Sequence, residues 1–394
     1  MKLQTWVYPW DIHAGGVDRV LGEIRDLGLT GIELTSNYHA IATLAARGEG
    51  RRVLYTEHGG VFFPARAERY GRIKPEVWPD DEIVRIWPEV SERSAKLGLR
   101  LNAWTIGQFQ PWITRQVPEC SKVLPTGDRV PATTCPCNTD VQEFFCAMGA
   151  DLSSQFPVDL IELEGIGFHK FQYGWVRPRI LIDIAPWTEW LLSLCFCESC
   201  KARARRAGLD PDGLQARVRI EIERCFNAQS DTDPAGPLEE MRAAWLDRDP
   251  DLAGYLQCRE DAVVDLVRNM ADAVGEASQA RLGVWAPVEV DGSEGVKLER
   301  VVDKIGAVIV WHPEMRREEA ARIRRLTAAA TPRVELTHFQ ASGWPHGPTS
   351  PGFRAELEAA IANAVDQISF YNYGLMRRWQ LKEMVALARS LTTR

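Results

Sequence analysis

Four glutamates sit inside short apolar runs, where a charged side chain needs a reason: Glu33 in GIELT, Glu162 and Glu164 in LIELEG, and Glu335 in RVELT. A strand sends successive side chains to opposite faces. If Ile161 and Leu163 pack against helices, Glu162 and Glu164 share the other face, with Glu164 nearer the strand's end. The same alternation turns Glu33 with Thr35, and Glu335 with Thr337, toward an interior. Carboxylates are costly there unless paired, so either a buried polar network or chemistry must account for them. Glu33 and Glu162, further from their strand ends, suit a network, whereas Glu164 and Glu335 suit a catalytic pair. Two carboxyl groups on opposing strands can flank a glycosidic bond, one giving a proton and one attacking carbon. That needs one pKa raised by burial and the other group kept ionised.

The 14 tryptophans are the second chemical signal. Sugar rings have apolar faces, and Trp104, Trp285, Trp311 and Trp6 fall in strand-end positions where an indole makes a stacking platform. Core packing is the plainer use of any one of them. Asn102, Tyr371, His39 and His312 complete the predicted substrate-binding set, with Tyr38, Glu57, His58, His169, Lys170 and His338 as further loop polar groups. The third signal is a cluster of Cys195, Cys197 and Cys200 among nine cysteines. Three thiolates so close repel one another unless a cation binds them, which favours metal ligation over disulfides in a reducing compartment.

These groups must be positioned by something, and the chain supplies eight short apolar runs: Leu3–Tyr8, Gly31–Thr35, Leu99–Trp104, Val158–Glu164, Arg281–Trp285, Ala307–Trp311, Arg333–Thr337 and Gln367–Tyr371. Helical patterns separate them, the clearest being the stripe Val17, Val20, Leu21, Ile24, Leu27 with Gly28 as a stop. Strands alternating with helices predict a parallel sheet, and eight such units predict an α/β fold of the (β/α)8 TIM-barrel class. No glycine-rich fingerprint after the first strand supports an open doubly wound sheet. Long connections follow strands 2, 3 and 4, over 36–81, 105–139 and 165–280. All begin at the strand ends where barrel enzymes shape substrate. Without repeats or linkers, 1–394 is expected to be one domain.

Composition narrows the partners. A net charge of −7 without a basic stretch argues against nucleic acid and anionic membranes. Hydrophobic residues at 45% supply a large core, and no apolar run reaches the ~18 residues of a membrane span. MKLQTWVYPWD enters a strand pattern directly, so a cytoplasmic protein with a small-molecule carbohydrate partner is expected, a homo-oligomer remaining open.

Glutamates on strands 4 and 7 of an eight-fold barrel resemble the retaining glycoside hydrolases of clan A. The run LCFCESCK, with Cys195, Cys197 and Cys200 after the strand-4 acid, is similar to the zinc knuckle of family-42 β-galactosidases. That resemblance implies Glu164 as acid/base, Glu335 as nucleophile, and a structural zinc on Cys135, Cys195, Cys197 and Cys200. Cys135 comes from the Cys-Pro context of TTCPCNTD, with Cys137 in reserve. Clan A enzymes carry Asn before the strand-4 acid, where this chain has Leu163. The segment GVDRVLGEIRDLGLTGIELT also resembles the xylose-isomerase-like isomerases and epimerases. That implies a divalent metal on a set such as Glu164, His312, Glu314 and Glu335. A noncatalytic carbohydrate-binding barrel is the third reading.

Overall fold

The structure is a computed structural model that describes residues 1–47, 52–172, 180–182, 184–227, 237–287, 292–311, 317–341 and 347–392. Eight parallel strands form a closed barrel: β1 (Lys2–Val7), β2 (Gly31–Tyr38), β3 (Arg100–Ile106), β4 (Leu160–Glu164), β5 (Arg281–Trp285), β6 (Ile305–Trp311), β7 (Glu335–Ala341) and β8 (Gln367–Tyr371). Each pairs with its sequence neighbours, and β1 closes the ring by pairing with both β2 and β8. Gly60–Val61 adds a short antiparallel strand to the end of β2.

Amphipathic helices cover the outside. The first, α1 (Val17–Asp26), buries Val20, Leu21 and Ile24, and Gly28 follows it at a φ of 83°, a conformation that suits glycine. Later ones include α2 (Thr139–Gln155), α3 (Glu198–Arg206), α4 (Pro250–Ala277) and α5 (Pro351–Ala362). The connection after β2 carries a hairpin of Ile41–Leu44 with Val53–Thr56, and the one after β3 a hairpin of Ser121–Val123 with Arg129–Thr134. The connection after β4 is largely helical and ends in α4, which lies beside α2. No described helix is long and apolar enough to cross a membrane.

Hydrogen bonds between strands that are not neighbours can only cross the barrel interior, and they sort it into layers. At the amino-terminal mouth, Lys2 Nζ and Arg100 Nη1 reach Glu335 from β1 and β3, at 2.6 and 3.2 Å. In the middle, Ser369 Oγ and Gln367 Nε2 donate to Glu33 Oε1 at 2.7 and 3.0 Å. Asn102 Nδ2 is shared between Gln4 Oε1 and Glu162 Oε1 at 3.1 and 3.4 Å. Toward the carboxyl-terminal mouth the interior turns aromatic, with Trp6 set 5.0 Å from Phe339, 6.1 Å from Trp285 and 6.5 Å from Trp104, centroid to centroid.

Glu33 and Glu162 are fully buried, and burial pushes both carboxyl groups above their ordinary range, against the hydrogen bond from Ser369 to Glu33 and despite Arg100 nearby. The Glu33 charge further raises the proton affinity of Glu162, and burial holds both carboxyl groups toward the neutral form. An unfolded chain ionises both in the ordinary carboxylate range while the folded chain keeps its protons. Stability is therefore greatest below that range and falls as pH rises toward the raised folded values. Glu33→Gln, which keeps the shape and stays neutral, should flatten this slope. Between pH 5 and 8.5 the wild type should lose at least about 2 kcal/mol more than the variant, since a tenfold change in proton affinity is worth about 1.4 kcal/mol. Equal slopes in urea titrations at the two pH values would contradict the assignment.

Candidate active site

Glu164 closes β4, one inward position above Glu162, and unlike Glu162 it keeps contact with solvent. Trp104, the inward residue of β3 whose register partner on β4 is Glu162, reaches one step up to donate its indole Nε1–H to Glu164 Oε2 at 2.6 Å. Burial raises the Glu164 pKa to about 7, and the indole hydrogen bond only partly opposes it. A carboxyl group so placed holds a proton near neutrality and can give it up.

Three tyrosines stand beside it. The Tyr8 hydroxyl lies 3.1 Å from that of Tyr38 and 2.9 Å from that of Tyr371. Burial, followed by the neighbouring phenols, raises Tyr8 and Tyr38, and the Glu164 charge acts on Tyr38 and Tyr371. Tyr38 is stacked by His39 at 4.2 Å, and His39 lies 4.4 Å from Phe109. Burial lowers the His39 pKa to about 4, so the ring is neutral at pH 7. His39 Nδ1 sits 2.6 Å from the Ala40 carbonyl, which assigns the proton to Nδ1 and leaves Nε2 as an acceptor. Beyond Phe109 lies His169, its pKa lowered to about 3 chiefly by burial, with Lys122 and the His39 ring nearby disfavouring a further positive charge. Asp11, packed against Gly374 after β8 and raised to about 7 by burial, also acts on Tyr371. Together these groups supply one proton donor, several hydroxyls, a neutral imidazole and apolar ring faces.

The expected residues divide between the two mouths. Glu164, Trp104, Trp285, Tyr371 and His39 lie at the carboxyl-terminal side, and Trp311 joins them through Phe339 at 5.8 Å. Glu335 does not. It is the first residue of β7, at the opposite mouth, in ion pairs with Lys2 and Arg100. Burial pushes its pKa up, but the Lys2 hydrogen bond and the Arg100 charge outweigh that and hold it below the ordinary carboxylate value. The expected Glu164–Glu335 pair is therefore corrected, and so is the metal set that shared both residues. Asn102 is corrected too: its amide is committed to Gln4 and Glu162 in the middle layer, one inward position below Trp104. His312 and Glu314 lie outside the described residues. Tyr8 and Phe339 join the site without being singled out by the sequence; continuing the alternation of Gln4 and Trp6 reaches Tyr8, and continuing β7 past Thr337 reaches Phe339.

Behind the loop that follows β4 lies the cysteine cluster. Cys135 follows the second hairpin, Cys195 and Cys197 precede α3, and Cys200 sits in its first turn. The ligand atoms of Cys135, Cys195, Cys197 and Cys200 all lie within 4.8 Å of one another, and all four residues are buried. Cys135 Sγ is 3.3 Å from Cys200 Sγ and 3.9 Å from Cys195 Sγ. Tetrahedral ligation at about 2.3 Å spaces sulfurs by about 3.8 Å, so the quartet could hold a metal ion. Among the described residues no other group of three or more His, Cys, Asp or Glu side chains converges in this way. Backbone bonds fix the segments that carry the sulfurs: Cys135 N to Cys120 O, Phe196 N to Val123 O, and the Tyr255 hydroxyl to Cys195 O at 2.5 Å. Cys137 is also buried beside Cys135 and Cys200 but does not belong to the converging four.

No family model and no curated protein sequence matches the chain. Solved structures do match in fold. The catalytic domain of β-amylase from Paenibacillus polymyxa has a TM-score of 0.57 at 9% identity, covering 99% of this chain and 98% of that one. α-L-Fucosidase isoenzyme 2 from Paenibacillus thiaminolyticus has a TM-score of 0.56 at 10% identity, covering 100% of this chain and 49% of that one. β-Galactosidase from Marinomonas ef1 has a TM-score of 0.54 at 12% identity, covering 100% of this chain and 60% of that one. The chain thus spans half to three-fifths of the latter two, and at these identities the likeness is one of barrel fold.

Proposed function

We propose that the protein is a glycoside hydrolase-like enzyme in which Glu164 is the proton donor to the departing sugar oxygen. The observation that carries this reading is a carboxyl group raised to about 7, part-buried at the carboxyl-terminal mouth and set against Trp104. The departing oxygen leaves as an alcohol with the Glu164 proton, solvent water supplies the hydroxyl that adds to the anomeric carbon, and the aromatic layer offers ring faces to the sugar and to the positive charge that develops as the bond breaks. The hydroxyls of Tyr38 and Tyr371 and Nε2 of His39 suit hydrogen bonding to sugar hydroxyls. The solved neighbours named above supply the same substrate class by analogy of fold.

Glu164→Gln should lower cleavage of a chromogenic glycoside by about 10²–10⁴-fold, the usual worth of a general acid, while sugar binding measured calorimetrically persists. Wild-type activity should fall as pH rises through about 7, because the donor loses its proton there. Glu335→Gln should leave turnover within a few-fold of wild type once its stability is matched. Full activity in Glu164→Gln would refute the role, and binding of glycosides without turnover by the wild type would favour the noncatalytic barrel.

For the cysteine quartet we propose a structural zinc. Four buried sulfurs are its usual donor set, and they leave no open position for substrate. When bound, the ion would tie the hairpin after β3 to the start of α3. Protein purified without chelator should contain one zinc per chain, and Cys135→Ser should lower both zinc content and the thermal midpoint. Protein free of metal with an unchanged midpoint would contradict the site.

A further inference from the structure

Two buried basic side chains lie near the cysteine quartet, Lys122 within electrostatic reach of Cys195, Cys135 and Cys200, and Arg259 within reach of Lys122 and of Tyr255, whose hydroxyl donates to Cys195 O. Lys122 is 2% exposed and sits in the hairpin after β3, between the residues whose backbones bond to Cys135 and Phe196. Burial, the largest influence, lowers its pKa to about 7 and Arg259 adds to that, whereas the charges of Cys195, Cys135 and Cys200 favour its protonated form. Arg259, on α4, is also 2% exposed. It donates Nη2–H to Ser293 O at 2.8 Å, while Nε and Nη1 have no hydrogen-bond partner among the described residues. No carboxylate is paired with either cation among the described residues. Two neighbouring buried charges of one sign are unfavourable unless a nearby anion balances them.

Both cations also touch the loop that follows Glu164. Lys122 Nζ donates to the His169 carbonyl at 2.7 Å, and the Arg259 guanidinium lies 4.2 Å from the Phe168 ring centroid. A divalent ion on four thiolates carries a net charge of about −2, the opposite of what the two side chains bring.

We propose that Lys122 and Arg259 are the counter-charges of the four-thiolate metal centre, and that through them metal loading sets the position of the Phe168–His169 loop above the active site. This rests on the zinc reading of the quartet. Both are positioning residues, touching neither metal nor substrate.

The test measures zinc affinity by competition with a chromophoric chelator, together with hydrogen exchange across 165–172, in the full-length protein. Lys122→Met and Arg259→Met should each weaken zinc binding by about 10–100-fold, the usual cost of losing an outer-shell partner. Lys122→Arg and Arg259→Lys, which keep the charge, should stay close to wild type. Exchange across 165–172 should rise when zinc is stripped from the wild type, and should already be raised in the zinc-loaded Met variants. Should one Met variant fail to fold, the other position carries the comparison. Wild-type affinity in the Met variants would overturn the counter-charge role while leaving the zinc site intact. Equal weakening in charge-keeping and charge-removing variants would also overturn it, because shape would then be the cause. Exchange insensitive to zinc would overturn the link to the loop. A wild type that binds no zinc would remove the metal reading itself, a result distinct from the others.

Discussion

A carboxyl group enclosed by protein must find a cation or keep its proton, and the interior of this barrel is arranged around that choice. Glu335 takes the first course, between Lys2 and Arg100 at the amino-terminal mouth. Glu33 and Glu162 take the second, surrounded by amides and a serine hydroxyl. Glu164 takes the second as well, but at a level where solvent still reaches it. The same desolvation that makes the middle layer a cost to folding makes the upper layer capable of acid chemistry. Four glutamates that look alike in sequence thus divide into one ion-paired group, one neutral pair and one raised carboxyl group at the mouth.

The aromatic layer is what keeps the two protonated levels distinct. Trp6 and Trp104 stand between the polar middle layer and the mouth, and the Trp104 indole holds Glu164 from the side. Rings fix the carboxyl group without supplying a charge that would ionise it. The cysteine quartet lies behind the other wall of the mouth. It brings the end of the hairpin after β3 against the start of α3, and Lys122 and Arg259 contact His169 and Phe168 of the loop that follows β4. His169 in turn faces Phe109, the ring against which His39 packs.

The barrel was legible because each of its strands is an apolar run of suitable length, and each observed strand overlaps the run predicted for it. The inward direction of Glu33, Glu162, Glu164 and Trp104 followed from alternation alone. Height within the barrel was harder to read, and β7 shows why. The apolar run RVELT suggests a strand that ends at Thr337, which would put Glu335 near the carboxyl end. The strand instead runs on through His338 and Gln340, whose polar side chains look like loop. They are satisfied locally: His338 Nε2 meets Gln340 Oε1 at 2.9 Å, and Gln340 Nε2 donates to Glu356 on α5 at 2.8 Å. A strand covered by a helix with a matching acceptor can carry polar outward residues, and one sequence read strand by strand does not reveal that acceptor. The tyrosine cluster was missed for a related reason. It assembles from the residue that follows β1 and from β2 and β8, the strands that meet at the closure of the barrel.

The central claim is that substrate meets Glu164 at the aromatic mouth, and locating a bound sugar tests it most directly. Crystals of the Glu164→Gln protein soaked in a monosaccharide such as galactose or glucose should show the ring against the Trp104–Tyr371 surface. One of its hydroxyls, or its anomeric oxygen, should lie within about 3.2 Å of the residue-164 side chain, the reach of a proton-transferring group. A sugar found only at the amino-terminal mouth, near Lys2 and Arg100, or only on the outer helices would contradict the account.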